Sequence, residues 1–193
     1  MDLNVILLHD KMVNKQGDLV TTSITMIDIH DIARSACTYG VRNIFISHPS
    51  PTLRKLAKSL HQHWLTGFGA DYNPNRKEAL MNLDIVQDLD EAIQKIDLRA
   101  KKLPKLIATS ARTGPDRTSF TAMTELLAQN QADAEQPYLL MFGTGWGMSE
   151  ELLQRADYLL DPINGPGPYN HLSVRSACAI ILDRLLGRVG SVC

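Results

Sequence analysis

Residues Pro137–Gly187 read PYLLMFGTGWGMSEELLQRADYLLDPINGPGPYNHLSVRSACAIILDRLLG, and this stretch decides the class of fold. A short apolar strand, Tyr138–Phe142, runs directly into the glycine turn Gly143–Gly147. A second strand, Tyr158–Leu160, runs into a loop rich in glycine and proline, and a long amphipathic helix follows. In α/β proteins, small ligands bind outside the carboxyl ends of the strands. These two consecutive loops therefore predict a small-ligand pocket.

The same alternation of strand-like and helical patterns extends over the rest of the chain. The predicted strands are Val5–Leu8, Ile44–Ser47, Asp84–Val86, Leu106–Thr109, Tyr138–Phe142 and Tyr158–Leu160. The predicted helices cover residues 28–39, 50–64, 88–100, 118–130, 149–155 and 171–186. Strands separated by helices indicate an α/β fold, a mostly parallel sheet flanked by helices on both faces. Residues 67–76 are rich in turn residues and are predicted to be irregular.

Two helices have clear apolar stripes and end signals. The first is predicted to bury Ile29, Ile32, Ala33, Ala36 and Cys37, with Asp28 as its N-cap. The last is predicted to bury Val174, Ala177, Cys178, Ile181 and Leu185, with Asn170 or Ser173 at its start and Gly187 at its end. Ser149, followed by two glutamates, is predicted to open the short helix after the glycine turn.

The composition excludes several classes of protein. A chain of 193 residues with 44% hydrophobic residues fits one domain, and a formal charge of −1 is not that of a polyanion-binding tail. Cys37, Cys178 and Cys193 lie far apart, so neither a disulfide framework nor a metal site is expected. No run reaches the roughly 18 apolar residues of a membrane span. With no signal-peptide pattern at Met1, the expected location is cytoplasmic.

Three loops that follow strands are candidates for ligand binding, and each also has a simpler interpretation. The turn Gly143–Gly147 brings backbone close to a ligand, but strand-to-helix turns often hold glycines. Thr109 and Ser110 follow a strand, where small hydroxyl residues commonly touch ligand, although they can equally cap the next helix. Residues 161–168 contain three prolines and two glycines, which indicates a loop held in one shape, or a plain connector.

Charged residues give two further candidates. Arg34 lies on the polar face of the first helix, where a solvated residue or a partner of Asp31 is the simpler interpretation. Arg54, Lys55 and Lys58 crowd the second helix, with His61, His63, Arg76 and Lys77 nearby. Such runs are usually solvated faces. Together with Trp64, Phe68 and Tyr72 they can also meet a phosphate backbone and stacked bases.

The order of these motifs resembles a known family. The turn GTGWG, then DPI-x-G, then HLSVRSACAIILDRL, resembles the knotted SPOUT superfamily (SpoU- and TrmD-like) of S-adenosylmethionine-dependent RNA methyltransferases. A second match lies near the N-terminus, where Asp28–Val41 and the strand after it resemble the first SpoU-type motif. The chain is most similar to a bacterial subgroup of predicted RNA methyltransferases.

The resemblance implies a single SPOUT domain over residues 1–193, with a deep C-terminal trefoil knot at about 105–187. It implies that S-adenosylmethionine is the cofactor, that RNA (tRNA or rRNA) is the substrate, and that a homodimer completes the site. It places Arg34 on the arginine of the first motif, a catalytic position. From the residues themselves, Asp28 is the second catalytic candidate, as a proton acceptor, and Arg112, Arg54, Lys55 and Lys58 are the candidate RNA contacts. No metal and no membrane are expected. The implied cofactor-binding residues are Thr109, Ser110, Gly143, Thr144, Gly145, Trp146, Gly147, Asp161, Pro162, Ile163, Gly165, Leu172, Ser173 and Val174.

Four positions depart from the family pattern. Asp28 replaces an asparagine, Ser173 replaces the asparagine of L-N-V, and Thr144 and Trp146 stand in a turn that lacks the family's glutamate. The expected function is methyl transfer from S-adenosylmethionine to a nucleotide of structured RNA. The alternatives are a sensor or assembly factor that binds the donor without transfer and, as a third possibility, a methyltransferase that acts on protein.

Overall fold

A seven-stranded parallel sheet organises the chain, of which the computed structural model describes residues 1–133 and 136–187, the side chains of 130–133 excepted. The strands of the sheet are β1 (Leu3–Leu8), β4 (Asn43–Ser47), β5 (Leu83–Val86), β6 (Lys105–Ala108), β7 (Arg117–Thr118), β8 (Tyr138–Gly143) and β9 (Tyr158–Leu160). Their order is β5-β4-β1-β8-β6-β9-β7, and every neighbouring pair is parallel.

Helices cover both faces of this sheet. They are α1 (Met26–Thr38), α2 (Pro51–Thr66), α3 (Phe68–Tyr72), α4 (Pro74–Leu80), α5 (Leu89–Ala100), α6 (Phe120–Asp133), α7 (Glu150–Leu153) and α8 (Val174–Leu186). One core cluster joins α1, α2, α4, α6 and α8 to the sheet, and a second joins α5 and α7 to the opposite face. Alternate residues of β1 enter the two clusters because successive side chains of a strand point to opposite faces. The predicted α/β fold is confirmed.

The position of β9 has a topological consequence. It lies between β6 and β7, which belong to one continuous piece of chain, residues 105–118. The amide of Asp161, just after β9, donates to the carbonyl of Thr118 at 2.9 Å. The loop between β6 and β7 therefore crosses one end of β9, next to the point where the chain continues toward α8.

Two parts of the chain differ from the sequence prediction. A small antiparallel hairpin of β2 (Met12–Val13) and β3 (Leu19–Val20) was not predicted, because two-residue strands carry no usable periodicity. Residues 67–76, predicted to be irregular, contain α3 and the first residues of α4 instead. The turn residues there act as helix signals, since the side chain of Asn73 accepts from the amide of Arg76 and Pro74 occupies the first position of α4.

The helix ends show which local signals were decisive. Ser149, Ser173 and Gly187 act as caps, as predicted. Asp28 is not the N-cap of α1, because the helix begins earlier, with Thr25 as N-cap, and Asp28 lies in its first turn. Cys37, predicted to be buried, is exposed, and it lies in the last turn of α1, which ends at Thr38. Cys193 lies outside the described residues.

Candidate functional site

Three loops meet at the carboxyl edge of the sheet, after β6, β8 and β9. The Arg112 guanidinium donates to the carbonyl of Trp146 at 3.1 Å, which joins the first loop to the second. The Asn170 side-chain amide donates to the carbonyl of Ala111 at 2.9 Å, which joins the third loop to the first. The sequence therefore predicted correctly which loops follow strands, and the fold brings all three together.

The glycine turn is held in place by the hairpin. Gly145 and Gly147 have φ values of +60° and +108°, a region that favours glycine. The amide of Trp146 donates to Val13, and the amide of Val13 donates to Gly147, at 3.1 and 2.9 Å. A Cβ at Gly145 would lie 3.3 Å from Thr22 and from the Val13 carbonyl, a tight contact that adds to the preference for glycine there. The amide of Trp146 is therefore already paired within the protein.

The third loop combines fixed ends with an open centre. Pro162 is buried, Asp161 and Ile163 are half-buried, and Ser173 caps α8 through its hydroxyl. Nothing lies within 4 Å of a Cβ built at Gly165. Val174 is half-buried, whereas Leu172 is 45% exposed, so an apolar side chain faces solvent next to the loop. Residues 164–169 of this loop are exposed to solvent.

Three aromatic side chains form a cluster that joins the second loop to the third. The rings of Trp146 and His171 are 6.0 Å apart, and those of His171 and Tyr169 are 5.4 Å apart, both edge to face. Trp146 and Tyr169 are 51% and 77% exposed. Lys15, at the tip of the hairpin, places its ammonium 6.0 Å from the centre of the Trp146 ring. These rings offer apolar faces to a planar ligand.

The hydroxyl residues after β6 stabilise the loop itself. The Thr109 hydroxyl donates to the carbonyl of Met141 at 2.9 Å, and the Ser110 hydroxyl accepts from the amide of Arg112 at 3.1 Å. The alternative interpretation, that they cap the next helix, is wrong. Ser119 does this instead, through the amide of Ala122.

The two candidate catalytic residues of α1 have different surroundings. Asp28 is 7% exposed, and its carboxylate accepts from Arg175 of α8 at 3.0 Å and from the hydroxyl of Thr25. Asp31, the suggested partner of Arg34, pairs with Arg175 instead, at 3.4 Å. Arg34 is exposed, and no ion pair to it is found in the described part of the chain. Arg34 is therefore available to a ligand, whereas both oxygens of Asp28 have donors.

Sequence reasoning missed a pair of buried histidines at the same edge of the sheet. His9 follows β1 and His48 follows β4, and both are almost completely buried with their rings 5.8 Å apart. Their position directly after two strands was the available signal. His9 Nδ1 donates to the carbonyl of Ser47 at 3.0 Å, and because a carbonyl only accepts, Nδ1 carries the proton.

The remaining nitrogen of His9, Nε2, is buried and has no hydrogen-bond partner among the described residues. The pKa of His9 is lowered to about 4. Burial is the largest cause, and nearby His48 also lowers this pKa, whereas the hydrogen bond to Ser47 and the charge of Asp28 raise it. Nε2 is therefore an uncharged acceptor at neutral pH. Nearby, Thr22 and Thr144 share a hydrogen bond between their hydroxyls, which ties the segment before α1 to the glycine turn.

The residues predicted to contact RNA divide into two kinds. The Arg54 guanidinium donates to the carbonyls of His48 and Pro49, at 2.7 and 2.6 Å, and so holds the loop after β4. Arg112 joins two loops, as described above. Lys55 and Lys58 lie exposed on α2, near Pro51, Ser59 and Gln62 of the same helix.

The residues present fit a nucleoside-like cofactor. Two side-chain hydrogen bonds hold the three loops together, and exposed apolar and aromatic side chains beside them offer surfaces that such a cofactor can contact. Across residues 1–133 and 136–187, no group of three or more metal-ligating side chains is found. In that same part of the chain, no helix combines the length and apolarity needed to span a bilayer.

Comparison with known proteins gives a consistent result. A family model described as SAM-dependent RNA methyltransferase matches residues 2–187. The chain is 42% identical over 181 residues to a tRNA (guanine-N(1)-)-methyltransferase of Oleidesulfovibrio alaskensis, a match that covers 94% of this chain and 41% of that protein. The chain thus spans about two fifths of that relative. Because the name describes a protein more than twice as long, it does not assign a methylated atom to the shared segment.

A second relative has a similar length. The chain is 37% identical over 184 residues to an uncharacterized protein of Aquifex aeolicus, covering 95% of this chain and 88% of that one. Among solved structures, the SpoU methyltransferase AviRb of Streptomyces viridochromogenes, in complex with the cofactor AdoMet, has a TM-score of 0.56 at 16% identity. That match covers 96% of this chain and 57% of the other, and at this identity it supports the fold alone.

Proposed function

The chain belongs to the family of SAM-dependent RNA methyltransferases, and from this we propose that it transfers a methyl group from S-adenosylmethionine to a nucleotide of structured RNA, either tRNA or rRNA. The family match agrees with the resemblance found in the sequence motifs. The relatives named as tRNA methyltransferases support a tRNA substrate in particular. The expected site of action is the cytoplasm.

The observation that carries this proposal is the meeting of the three loops at the carboxyl edge of the sheet. Two side-chain bonds, Arg112 to Trp146 and Asn170 to Ala111, hold the loops in one arrangement. S-adenosylmethionine supplies an activated methyl group on a sulfonium. The task of the protein is then mainly alignment, and positioning of reactants can supply several kcal/mol of the barrier reduction.

We assign the positioning of the RNA acceptor to Arg34. Its guanidinium is exposed and has no ion-pair partner among the described residues. A guanidinium can bind a phosphate or polarise a ribose hydroxyl. The two oxygens of Asp28 already accept hydrogen bonds from Arg175 and Thr25, so its carboxylate is engaged within the protein. We therefore assign to Asp28 the positioning of Arg175 and the link between α1 and α8.

The knot and the dimer belong to the same proposal. The location of β9 between β6 and β7 supports a chain that passes under the loop 109–116 before it forms α8. Ile27 and Leu172 are 53% and 45% exposed, and each lies close in sequence to one partner of the ion pair between Asp28 and Arg175. We place the contact with a second copy at these two side chains.

The test combines donor binding with methyl transfer. Isothermal titration with S-adenosylmethionine measures binding, and incubation with donor labelled in the methyl group and bulk undermethylated RNA measures transfer. Donor binding together with label on RNA supports the proposal. Donor binding without label on any RNA supports a sensor or assembly factor, and label on protein supports a protein methyltransferase. Absence of donor binding refutes all three.

A further inference from the structure

Two segments of this chain are rich in positive charge, residues 51–77 and 99–105, and in the second Arg99 and Lys105 form ion pairs with Asp2 and Asp157. Residues 51–77 contain five lysines and arginines and one acid, Asp71, a formal charge of 5 − 1 = +4. The whole chain has a formal charge of −1, so the remaining residues sum to −1 − 4 = −5. Glu78 is the next acid along the chain. A cationic segment on an otherwise acidic protein is the electrostatic mark of a nucleic-acid surface.

This segment is continuous with the proposed acceptor site. Helix α4 packs on α1, and the Arg76 guanidinium of α4 lies 4.4 Å from the centre of the Trp64 ring. His30 of α1 contacts the same ring edge to face, at 5.6 Å. Burial lowers the pKa of His30, and Arg76 and Arg34 lower it further while Asp31 raises it. Arg34 follows His30 by four residues on α1 and so lies on the same side of that helix, next to the Trp64 ring that His30 and Arg76 both contact.

Two exposed aromatic rings lie in the same segment. Phe68 and Tyr72 of α3 are 77% and 75% exposed, and their rings are 6.0 Å apart with an interplanar angle of 22°. Gly69 of α3 packs closely on α2, because a Cβ at this position would lie 2.6 Å from the Trp64 ring. Two large rings held side by side in water indicate a surface that a partner covers. Aromatic side chains beside cations are the usual platform for unpaired bases.

We propose that residues 51–77, termed the α2–α4 ridge, are the RNA-binding surface of this protein, and that Phe68 and Tyr72 stack on an unpaired base near the modified nucleotide. The inference rests on the proposed function. The phosphate contacts come from the cations Lys55, Lys58 and Lys77, and not from Arg54, whose guanidinium is engaged with carbonyls. The partner is looped or single-stranded RNA, since bases within a duplex do not expose their faces.

The test replaces both rings and compares two RNA probes. The variant is Phe68→Ala with Tyr72→Ala, and the matched control is Leu98→Ala, an apolar residue of α5 that is 69% exposed on the opposite face of the sheet. The probes are a labelled RNA hairpin with an unpaired loop and a fully paired duplex of equal length, followed by fluorescence anisotropy. Loss of one stacked base weakens RNA binding by roughly 5- to 150-fold. We expect that loss for the hairpin only, with donor affinity unchanged.

A second variant addresses the phosphate contacts. Lys55→Ala with Lys58→Ala should weaken the binding of both probes alike. It should also reduce the salt dependence of hairpin binding, by about 0.7 in log–log slope for each phosphate that is no longer neutralised by a lysine. The conservative exchange Phe68→Tyr with Tyr72→Phe retains both rings and should bind the hairpin as the wild type does.

The outcomes separate this inference from the proposed function. If the wild type methylates RNA and the double alanine variant of the rings binds the hairpin equally well, the inference is refuted and the proposed function stands. If that variant changes the sedimentation of the protein but not its RNA affinity, the rings form a self-association surface and the inference is again refuted. If the wild type binds neither probe and labels no RNA, both fail.

Discussion

Acidification should destabilise this protein through His9. The ring is fully buried, and its Nδ1 proton is fixed by the carbonyl of Ser47. Burial is the main cause that lowers the pKa of His9 to about 4, from an unfolded value of 6.5. The unfolded chain therefore binds a proton at a pH where the folded protein does not. The resulting stability is complete above pH 6.5 and is lost as the pH falls toward 4.

The size of this effect follows from the two pKa values. For one group titrating at 6.5 in the unfolded state and about 4 in the folded state, linkage gives a loss of about 2 kcal/mol in the free energy of unfolding between pH 7 and pH 5. His30 contributes in the same direction, since its pKa is also lowered by burial and by Arg76 and Arg34. The contribution of His9 must therefore be measured as a difference between two proteins.

The variant His9→Asn provides that difference. Its amide can still donate to the carbonyl of Ser47, but it does not titrate. Urea unfolding followed by circular dichroism at pH 7, 6 and 5 gives the free energy of unfolding of each protein. Any packing loss lowers the stability of the variant equally at each pH, whereas the wild type should lose about 2 kcal/mol more than the variant on going to pH 5. Parallel pH profiles for the two proteins would refute the argument.

Three further predictions concern the candidate site. Arg34→Ala should reduce methyl transfer by roughly 100-fold or more, while the dissociation constant for S-adenosylmethionine stays within about twofold. Loss of donor binding in titration calorimetry would contradict the role assigned to Arg34. Gly143→Ala places a Cβ 2.8 Å from Met148 Cγ. Urea unfolding should therefore show a free energy of unfolding lower by about 1–3 kcal/mol. A variant as stable as the wild type would show that this contact relaxes freely. In a Trp64→Phe protein the only remaining tryptophan is Trp146, and its fluorescence should change on addition of S-adenosylmethionine; no change at saturation would place the cofactor away from that ring.

Much of the sheet was predictable because each strand is a continuous apolar run. β9 was predicted with its exact ends, and the five other predicted strands match β1, β4, β5, β6 and β8 to within two residues at each end. Strands buried on both faces of a parallel sheet consist of near-continuous hydrophobic residues, and helices buried on one side show a stripe. The edge strand β7 was not predicted, since two residues between a turn and a helix carry no such pattern.

The candidate site was only partly predictable. The sequence indicated the three loops, because glycine, proline and hydroxyl residues directly after strands are a local signal. It did not indicate that Arg112 would join two of those loops, or that Asp28 would pair with Arg175, which lies 147 residues away in the chain. Cys37 was predicted to be buried because its spacing in α1 matches that of the apolar residues. The packing of neighbouring elements, which the sequence does not show, decides which of those residues are covered.

The sequence by itself determined which segments become strands and helices, where several helices start, and which loops can approach a ligand, because these properties depend on residues within a few positions of one another. The tertiary structure decided that β9 lies between β6 and β7, that the hairpin supports the glycine turn, and that His9 and His48 meet in the interior. Such contacts form between segments that are distant in sequence and pack against each other in the core. The free energy that selects them comes from burying apolar surface of the whole chain together.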